Sequence, residues 1–332
     1  MMFNLAAIII FIITNFVIYK KIDLIIKYIN IFDKPGKVKI HKKQVSLAGG
    51  TIICFNLILF LILNQINSFN YFETNSATFS FIILFFGFYL TGLYDDKYNI
   101  SPLSRILIMS LILFIAITLN DLLQIKKLNI NFHNKPFFLG NLSMLFSIIC
   151  ILIFTYAFNM FDGINLQSIT YSIFIFLIFI FNTKFYFLST VIIISLFFLL
   201  LLNYQNKIFL GDSGVYILAA IISYIIVSEY NSGNYFFSVD NIFIIMMLPG
   251  FDFIRLFIQR IINGKHPFKG DKKHFHHLLA NKFKLINVYF IILFLYIFPF
   301  FLKILGLNSF YIIISFLFFY IYLNFSYLKK FQ

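Results

Sequence analysis

The chain has 332 residues, of which 61% are hydrophobic, 21% aromatic and only 11% charged, and its mean hydropathy is +0.93. A water-soluble domain carries roughly 45–50% apolar and 25% charged residues, so a soluble globule is excluded. The net charge of +14 points to anionic lipid headgroups or phosphorylated substrates, because the basic residues sit on short connections beside apolar runs; nucleic acid is not expected as a partner.

In chain order, eleven runs are apolar and long enough, at roughly 17–25 residues, to cross a hydrocarbon core: 3–19, 46–66, 78–94, 102–119, 143–158, 167–182, 186–202, 213–229, 241–258, 285–303 and 308–327. Within lipid a backbone must satisfy its own hydrogen bonds, which makes these runs helices; the alternation of a membrane barrel is missing. The first run lacks a small-residue cleavage site and stops at Lys20-Lys21, so it reads as a span rather than a removable leader. The expectation is an all-α polytopic integral membrane protein of about eleven transmembrane helices, forming a single domain over residues 1–332, with its functional loops on the cytoplasmic side. Cys54 and Cys150 both lie inside apolar runs and read as packing residues. The abundance of Phe, 50 residues against no Trp, carries no functional signal.

Placing the N-terminus outside puts the eight lysines of Lys20–Lys43 and the eight Lys and Arg between Arg255 and Lys284 on the inner side. Only Lys126, Lys127, Lys135, Lys184 and Lys303 are then left outside, a strong positive-inside bias. On that topology six of the twelve acids, Asp95, Asp96, Asp162, Asp212, Asp252 and Asp271, fall at inner ends of spans or on inner loops. The outer connection 120–142 contains "KLNINF", Pro136 and Gly140 and suggests a hairpin.

Five short stretches carry the polar chemistry. "KIHKKQVSLAGG" leads into the second run, with Lys39 and His41 on the inner side and Gly49-Gly50 suited to close helix approach. "GLYDDK" ends the third with Asp95 and Asp96. Negative charge at a helix C-terminus is disfavoured by the macrodipole, so stability alone does not call for the pair; one carboxylate can hold a divalent cation while the other takes a proton. "FNMFDGIN" puts Asn159 and Asp162 on one helical face, although an ordinary Asp-Gly turn would look the same. "FLGDSGVY" opens the eighth run with Asp212 at a helix N-terminus, which suits either a simple cap or phosphate oxygens. "NGKHPFKGDKKHFHH" holds four of the six histidines among lysines; no cysteine or compact carboxylate set accompanies them, so a diphosphate-binding surface is favoured over zinc.

The order K-x-H…GG, DD, N-x-x-D-G, GD-x-G and H-x-HH resembles the polyprenyl-phosphate N-acetylhexosamine-1-phosphate transferases, the MraY/WecA superfamily. The likeness runs from about Lys39 to His277, and its H-x-H-H ending is closer to the WecA-like branch. Five positions depart from the family pattern: Gln44 and Ser46 stand where prolines are common, Tyr156 replaces an Asn, and Asn165-Leu166 replaces Asp-Gly. Asn165 cannot supply charge, so Asp162 inherits more of that motif's role.

The resemblance implies transfer of a sugar-1-phosphate, with GlcNAc-1-phosphate the default, from a UDP-N-acetylhexosamine to undecaprenyl or another polyprenyl phosphate. UMP is released, and the step initiates a cell-envelope polysaccharide. It further implies Mg²⁺, with Mn²⁺ as a substitute, held by Asp212 first and by Asp95 or Asp96 next. Asp95, Asp96 and Asp162 would be the catalytic acids, and Asn159, Lys39, His41, Arg260, Lys265, His274, His276 and His277 would bind substrate. The setting would be the bacterial inner or plasma membrane, with a homodimer one open assembly. Two alternatives remain: the same chemistry with phospho-MurNAc-pentapeptide as donor group, and an ion-coupled transporter. The second would place polar groups near mid-bilayer, where the runs read as almost purely apolar.

Overall fold

The structure, a computed structural model, describes residues 2–33, 44–66, 71–131, 135–264 and 273–328. Its first helix, α1 (Met2–Lys20), breaks at Lys21 and continues as α2 (Ile22–Ile29), bent by 72°. The inner loop expected there thus contains a helical turn pair, which buries Ile22 and leaves Asp23 and Lys27 exposed. A two-residue ribbon follows, in which β1 (Phe32–Asp33) pairs antiparallel with β2 (Val45–Ser46). Next come α3 (Gly49–Ile66), α4 (Asn75–Tyr98) and α5 (Pro102–Leu119), then the hairpin β3 (Lys127–Leu128) and β4 (Phe137–Phe138). The chain closes with α6 (Ser143–Phe161), α7 (Gln167–Asn182), α8 (Tyr186–Tyr204), α9 (Gly211–Asn231), α10 (Val239–Ile262), α11 (Phe275–Ala280), α12 (Leu285–Ile304) and α13 (Ser309–Leu328).

Each apolar run is occupied by a helix, and the outer connection does form its hairpin. The count of eleven spans is not reached on length and composition: among the described residues eight helices are long and apolar enough to cross a membrane, and the bent α1–α2 pair could supply a ninth. The reason is visible at α7, which starts only at Gln167 after the Asp-Gly turn. Sixteen residues at about 1.5 Å each reach roughly 24 Å, short of a ~30 Å hydrocarbon core.

Helix ends follow local chemistry. Thr74 caps α4 by accepting the Ala77 N–H, and Ser101, followed by Pro102 at the first helical position, caps α5 through the Ser104 N–H. Asn99 ends α4 in the left-handed region at φ 52°. At the centre stands α9, buried at every residue from Ser213 to Tyr230 and packed against α3, α4, α6 and α7.

The mid-span positions are less uniformly apolar than the sequence suggested. Asn15, Asn56 and Ser195 are fully buried and join α1, α3 and α8: the Asn15 amide donates to Asn56 Oδ1 at 2.7 Å, and Asn56 Nδ2 donates to Ser195 Oγ at 3.3 Å. These are neutral groups that satisfy one another, as interhelical polar contacts in lipid must. A second repair sits at Pro249 inside α10. Proline has no N–H, so the carbonyl four residues back, on Ile245, loses its helical donor; the buried Tyr171 hydroxyl of α7 donates to it at 2.9 Å.

Candidate active site

The site begins where three helices meet without side chains between them. A Cβ on Gly50 of α3 would lie 2.5 Å from the Gly214 nitrogen, and one on Gly92 of α4 would lie 2.4 Å from Ser213 Cα. Only glycine lets the backbones of α3 and α4 close onto the first turn of α9. The approach is pinned by main-chain hydrogen bonds, from the Phe209 N–H to Ser46 O at 2.8 Å and from the Gly49 and Gly50 N–H groups to Phe209 O and Leu210 O at 3.2 Å each. Close approach by Gly49-Gly50, expected from sequence, therefore brings the first motif to the fourth, and Gly92 does the same for the second.

At this junction Asp96 turns both carboxylate oxygens to the start of α9, accepting the Asp212 N–H at 2.8 Å and the Ser213 N–H at 3.0 Å. It answers the opening electrostatic puzzle: a carboxylate poorly placed for its own helix's C-terminus is well placed for another helix's N-terminus. Asp95, only 3% exposed, accepts the Ile100 N–H at 3.0 Å through Oδ1 and the Arg105 guanidinium at 2.7 Å through Oδ2. That fold-back of the α4–α5 turn delivers Arg105 to the acids. Tyr216, one turn beyond Asp212 on α9, completes the group: its hydroxyl lies 3.3 Å from Asp95 Oδ2, 3.2 Å from Arg105 Nη1 and 3.3 Å from Asn159 Nδ2 of α6. The Asp212 carboxyl faces Asp95 and Asp96 and feels the Arg105 charge. Asp96, Arg105, Asn159 and Asp212 remain partly open, whereas Asp95 and Tyr216 form the buried floor.

The end of α6 links this acidic cluster to a second, imidazole cluster. Asp162 follows the last turn of α6 and accepts the Ser168 hydroxyl of α7; burial pushes its carboxyl up to about 6, with that hydrogen bond opposing. Next to it, a Cβ on Gly163 would fall 1.8 Å from His276 Nε2. His276 therefore lies directly against the Asp-Gly turn, and burial, then the neighbouring His277 and His274, hold its imidazole well below the ordinary range and thus neutral near pH 7. Its Nε2, buried against Gly163, has no hydrogen-bond partner among the described residues. His274 Nδ1 lies 3.3 Å from Asp252 Oδ2 and its Nε2 lies 3.5 Å from Arg260 Nη2. A carboxylate only accepts and a guanidinium only donates, so the proton of His274 sits on Nδ1. Asp252 is the anchor of this side, accepting also from Arg255 Nη2 at 2.7 Å, the Tyr320 hydroxyl at 2.9 Å and the Phe275 N–H. His276 stacks on His274, with ring centroids 5.4 Å apart, and His277 lies tilted against it at 4.3 Å. Lys39, His41 and Lys265 lie outside the described residues.

Thus the structure brings together Asp95, Asp96, Asn159 and Asp212 in one cluster and Arg260, His274, His276 and His277 in the other, with Asp162 between them. Arg105, Tyr216, Asp252 and Arg255 are additions that the motifs did not single out. Tyr216 had a signal, since i and i+4 share a helical face and Asp212 is four residues before it; Asp252 had its place among the inner acids, and Arg105 had none beyond its charge. Asn165, in place of an acid, donates to Asn206 Oδ1 at 2.6 Å and serves the loop. Leu166, in place of glycine, is held in the left-handed region at φ 68°.

No set of three or more His, Cys, Asp or Glu side chains is ready-made to hold a metal ion among the described residues. The charges nevertheless fit one. Three carboxylates meet a single guanidinium, and all the offered donors are hard oxygens, the preference of a divalent Mg²⁺-type cation. Asp95 and Asp96 are already matched by Arg105 and by backbone N–H groups, which leaves Asp212 as the acid most in need of a cation.

Fold and site together define a polytopic α-helical membrane protein whose acidic and imidazole residues converge at one end of the helix bundle, an arrangement built for anionic substrates. Comparison then places it. Residues 78–229 match the model of glycosyl transferase family 4. The chain is 26% identical over 257 residues to a probable undecaprenyl-phosphate N-acetylglucosaminyl 1-phosphate transferase of Bacillus subtilis (strain 168), covering 74% of this chain and 69% of that protein. It is also 26% identical over 273 residues to an undecaprenyl-phosphate alpha-N-acetylglucosaminyl 1-phosphate transferase of Thermotoga maritima, covering 81% and 80%. A protein of the same description from Yersinia pestis is 26% identical over 267 residues, covering 76% and 70%. The chain is thus similar to the MraY/WecA superfamily and, within it, to the WecA-like members.

Proposed function

We propose that the chain transfers a sugar-1-phosphate, GlcNAc-1-phosphate by default, from a UDP-N-acetylhexosamine to undecaprenyl or a related polyprenyl phosphate and releases UMP. The observation that carries this reading is the meeting of all the described motifs at one end of the bundle, acids on one side and imidazoles on the other. The basic loops favour that end being cytoplasmic, in a bacterial inner or plasma membrane, so the long acceptor chain would lie among the helices with its phosphate at the interface.

In the reaction an acceptor phosphate oxygen attacks the sugar-bearing phosphorus of the donor, and the bond from that phosphorus to UMP breaks. Both partners are anionic, so their encounter needs charge compensation. Asp212, with Asp95 and Asp96 behind it, would hold Mg²⁺, or Mn²⁺ in its place; when bound, the ion supplies Lewis-acid neutralisation of the diphosphate. Asp96, ordered by the α9 N–H groups and partly open, would take the proton of the attacking oxygen, with Asp95, held by Arg105, supporting it from the floor. Arg260 and the His274–His277 segment would face the diphosphate, the segment being anchored by Asp252 through His274 and the Phe275 N–H. Asn159 and Asp162 position the donor between the clusters.

An ion-coupled transporter is less favoured, because the mid-span polar contacts at Asn15, Asn56 and Ser195 are neutral and mutually satisfied. The purified protein is expected to release UMP from UDP-GlcNAc only when both polyprenyl phosphate and Mg²⁺ are supplied, and Asp212→Asn is expected to abolish release while membrane expression persists. Release independent of the lipid, or no release from any UDP-N-acetylhexosamine, would refute the reading.

A further inference from the structure

Tyr216 occupies a place that the proposed chemistry does not yet use. It is fully buried on α9, yet its hydroxyl touches three polar side chains from three other helices: Asp95 of α4, Arg105 of α5 and Asn159 of α6. The proton arithmetic of that oxygen has one solution. A phenol has one proton to give, and its oxygen can accept two. Arg105 can only donate, and a carboxylate can only accept, so the phenolic proton goes to Asp95 Oδ2. With its proton so used, the hydroxyl can meet Asn159 only as an acceptor, and Asn159 must present its amide N–H₂.

That choice fixes the remaining end of Asn159. Its carbonyl oxygen is turned away from Tyr216 and is the end left for the ligand side of α6. Without the hydroxyl, nothing at this contact distinguishes the two faces of the amide, which differ only by a half-turn about the last side-chain bond. The same hydroxyl also ties Asp95 and Arg105, already 2.7 Å apart, to the helix that carries Asp212. We propose that Tyr216 is a positioning residue of the transfer site, its hydroxyl fixing which face of the Asn159 amide meets the donor. The inference rests on the transferase reading above.

Tyr216→Phe tests it, since the ring still fills its buried space and only the oxygen is lost. Assays use the full chain in detergent with UDP-GlcNAc, undecaprenyl phosphate and Mg²⁺, with rates normalised to the fraction that binds UDP-GlcNAc by calorimetry, so that misfolded protein does not count. The variant is expected to lose about 10- to 100-fold in kcat, the range typical of removing an orienting contact, with KM for both substrates within about threefold. A loss caused by loosened packing would add to other losses, whereas a role exercised through Asn159 would not. Tyr216→Phe combined with Asn159→Ala should therefore be no slower than Asn159→Ala alone. A wild-type chain that releases no UMP brings down the transferase reading and this inference with it. An active wild type with Tyr216→Phe within threefold of it in kcat, or a double variant showing the product of the two single losses, overturns the inference alone.

Discussion

Replacing Gly92 by alanine adds one methyl group to α4, and the structure says where it goes. The new carbon would sit 2.4 Å from Ser213 Cα, 2.5 Å from Ser213 N and 2.6 Å from Asp212 O, whereas ordinary contact begins at 3.4 Å. All three obstructing atoms are backbone, so no rotamer can relieve the clash; α4 must retreat from the first turn of α9 by about 1 Å. Overpacking of this kind costs about 1–3 kcal/mol. The greater effect falls on the site, because the retreat pulls Asp96 from the Asp212 and Ser213 N–H groups, and an error of ~1 Å in a reacting geometry costs about 100-fold in rate. Gly250→Ala is the matched control, since a Cβ there meets nothing within 4 Å. UMP release and thermal unfolding in detergent, measured on both variants, give the comparison. Gly92→Ala with activity within threefold of wild type would show that α4 and α9 do not set the acid spacing.

Three further perturbations follow from the same geometry. The Asp162 carboxyl is raised to about 6, so the fold favours its protonated form; the stability this group contributes is full below its unfolded value of about 4 and is lost as pH rises through 6. Asp162→Asn should accordingly unfold at a higher temperature than wild type at pH 8, by an amount corresponding to no more than ~3 kcal/mol, and the gap should close at pH 4.5; an equal gap at both values would refute the assignment. Leu166→Gly relieves a left-handed conformation that costs an L-residue about 1–2 kcal/mol but frees the unfolded chain, for an expected net gain of up to ~1 kcal/mol, read as a raised unfolding temperature. Tyr171→Phe strands the Ile245 carbonyl beside Pro249 and should cost about 1–3 kcal/mol, an effect that should disappear when Pro249→Ala restores the helical donor.

Much of this was legible in the sequence for a physical reason. A span must be apolar along its length, so every run from Phe79-type stretches to the Phe-rich last helix could be located without knowing its neighbours. Motif residues such as Asp212 and His276 stand out because polar groups are scarce in such a chain. Contacts between distant positions are another matter. Arg105 pairs with Asp95 through the fold-back of a turn, and Tyr216 joins partners 57, 111 and 121 residues away; nothing local marks either. Asn15, Asn56 and Ser195 went unmarked in their apolar runs because each meets its polar partner on a different helix. At α7 the expected count is not met for a reason of length, since the turn at Asp162–Leu166 leaves a helix of sixteen residues.

The junction of α3, α4 and α9 also bears on how this chain tolerates its own composition. Elsewhere the interior is a mosaic of Phe, Ile and Leu, where one large side chain can be exchanged for another with local readjustment. Between Gly92 and the Asp212–Ser213 backbone there is no side chain to exchange. The separation of the acids is set there by atomic radii of the main chain, insulated from substitutions among the large apolar side chains around it.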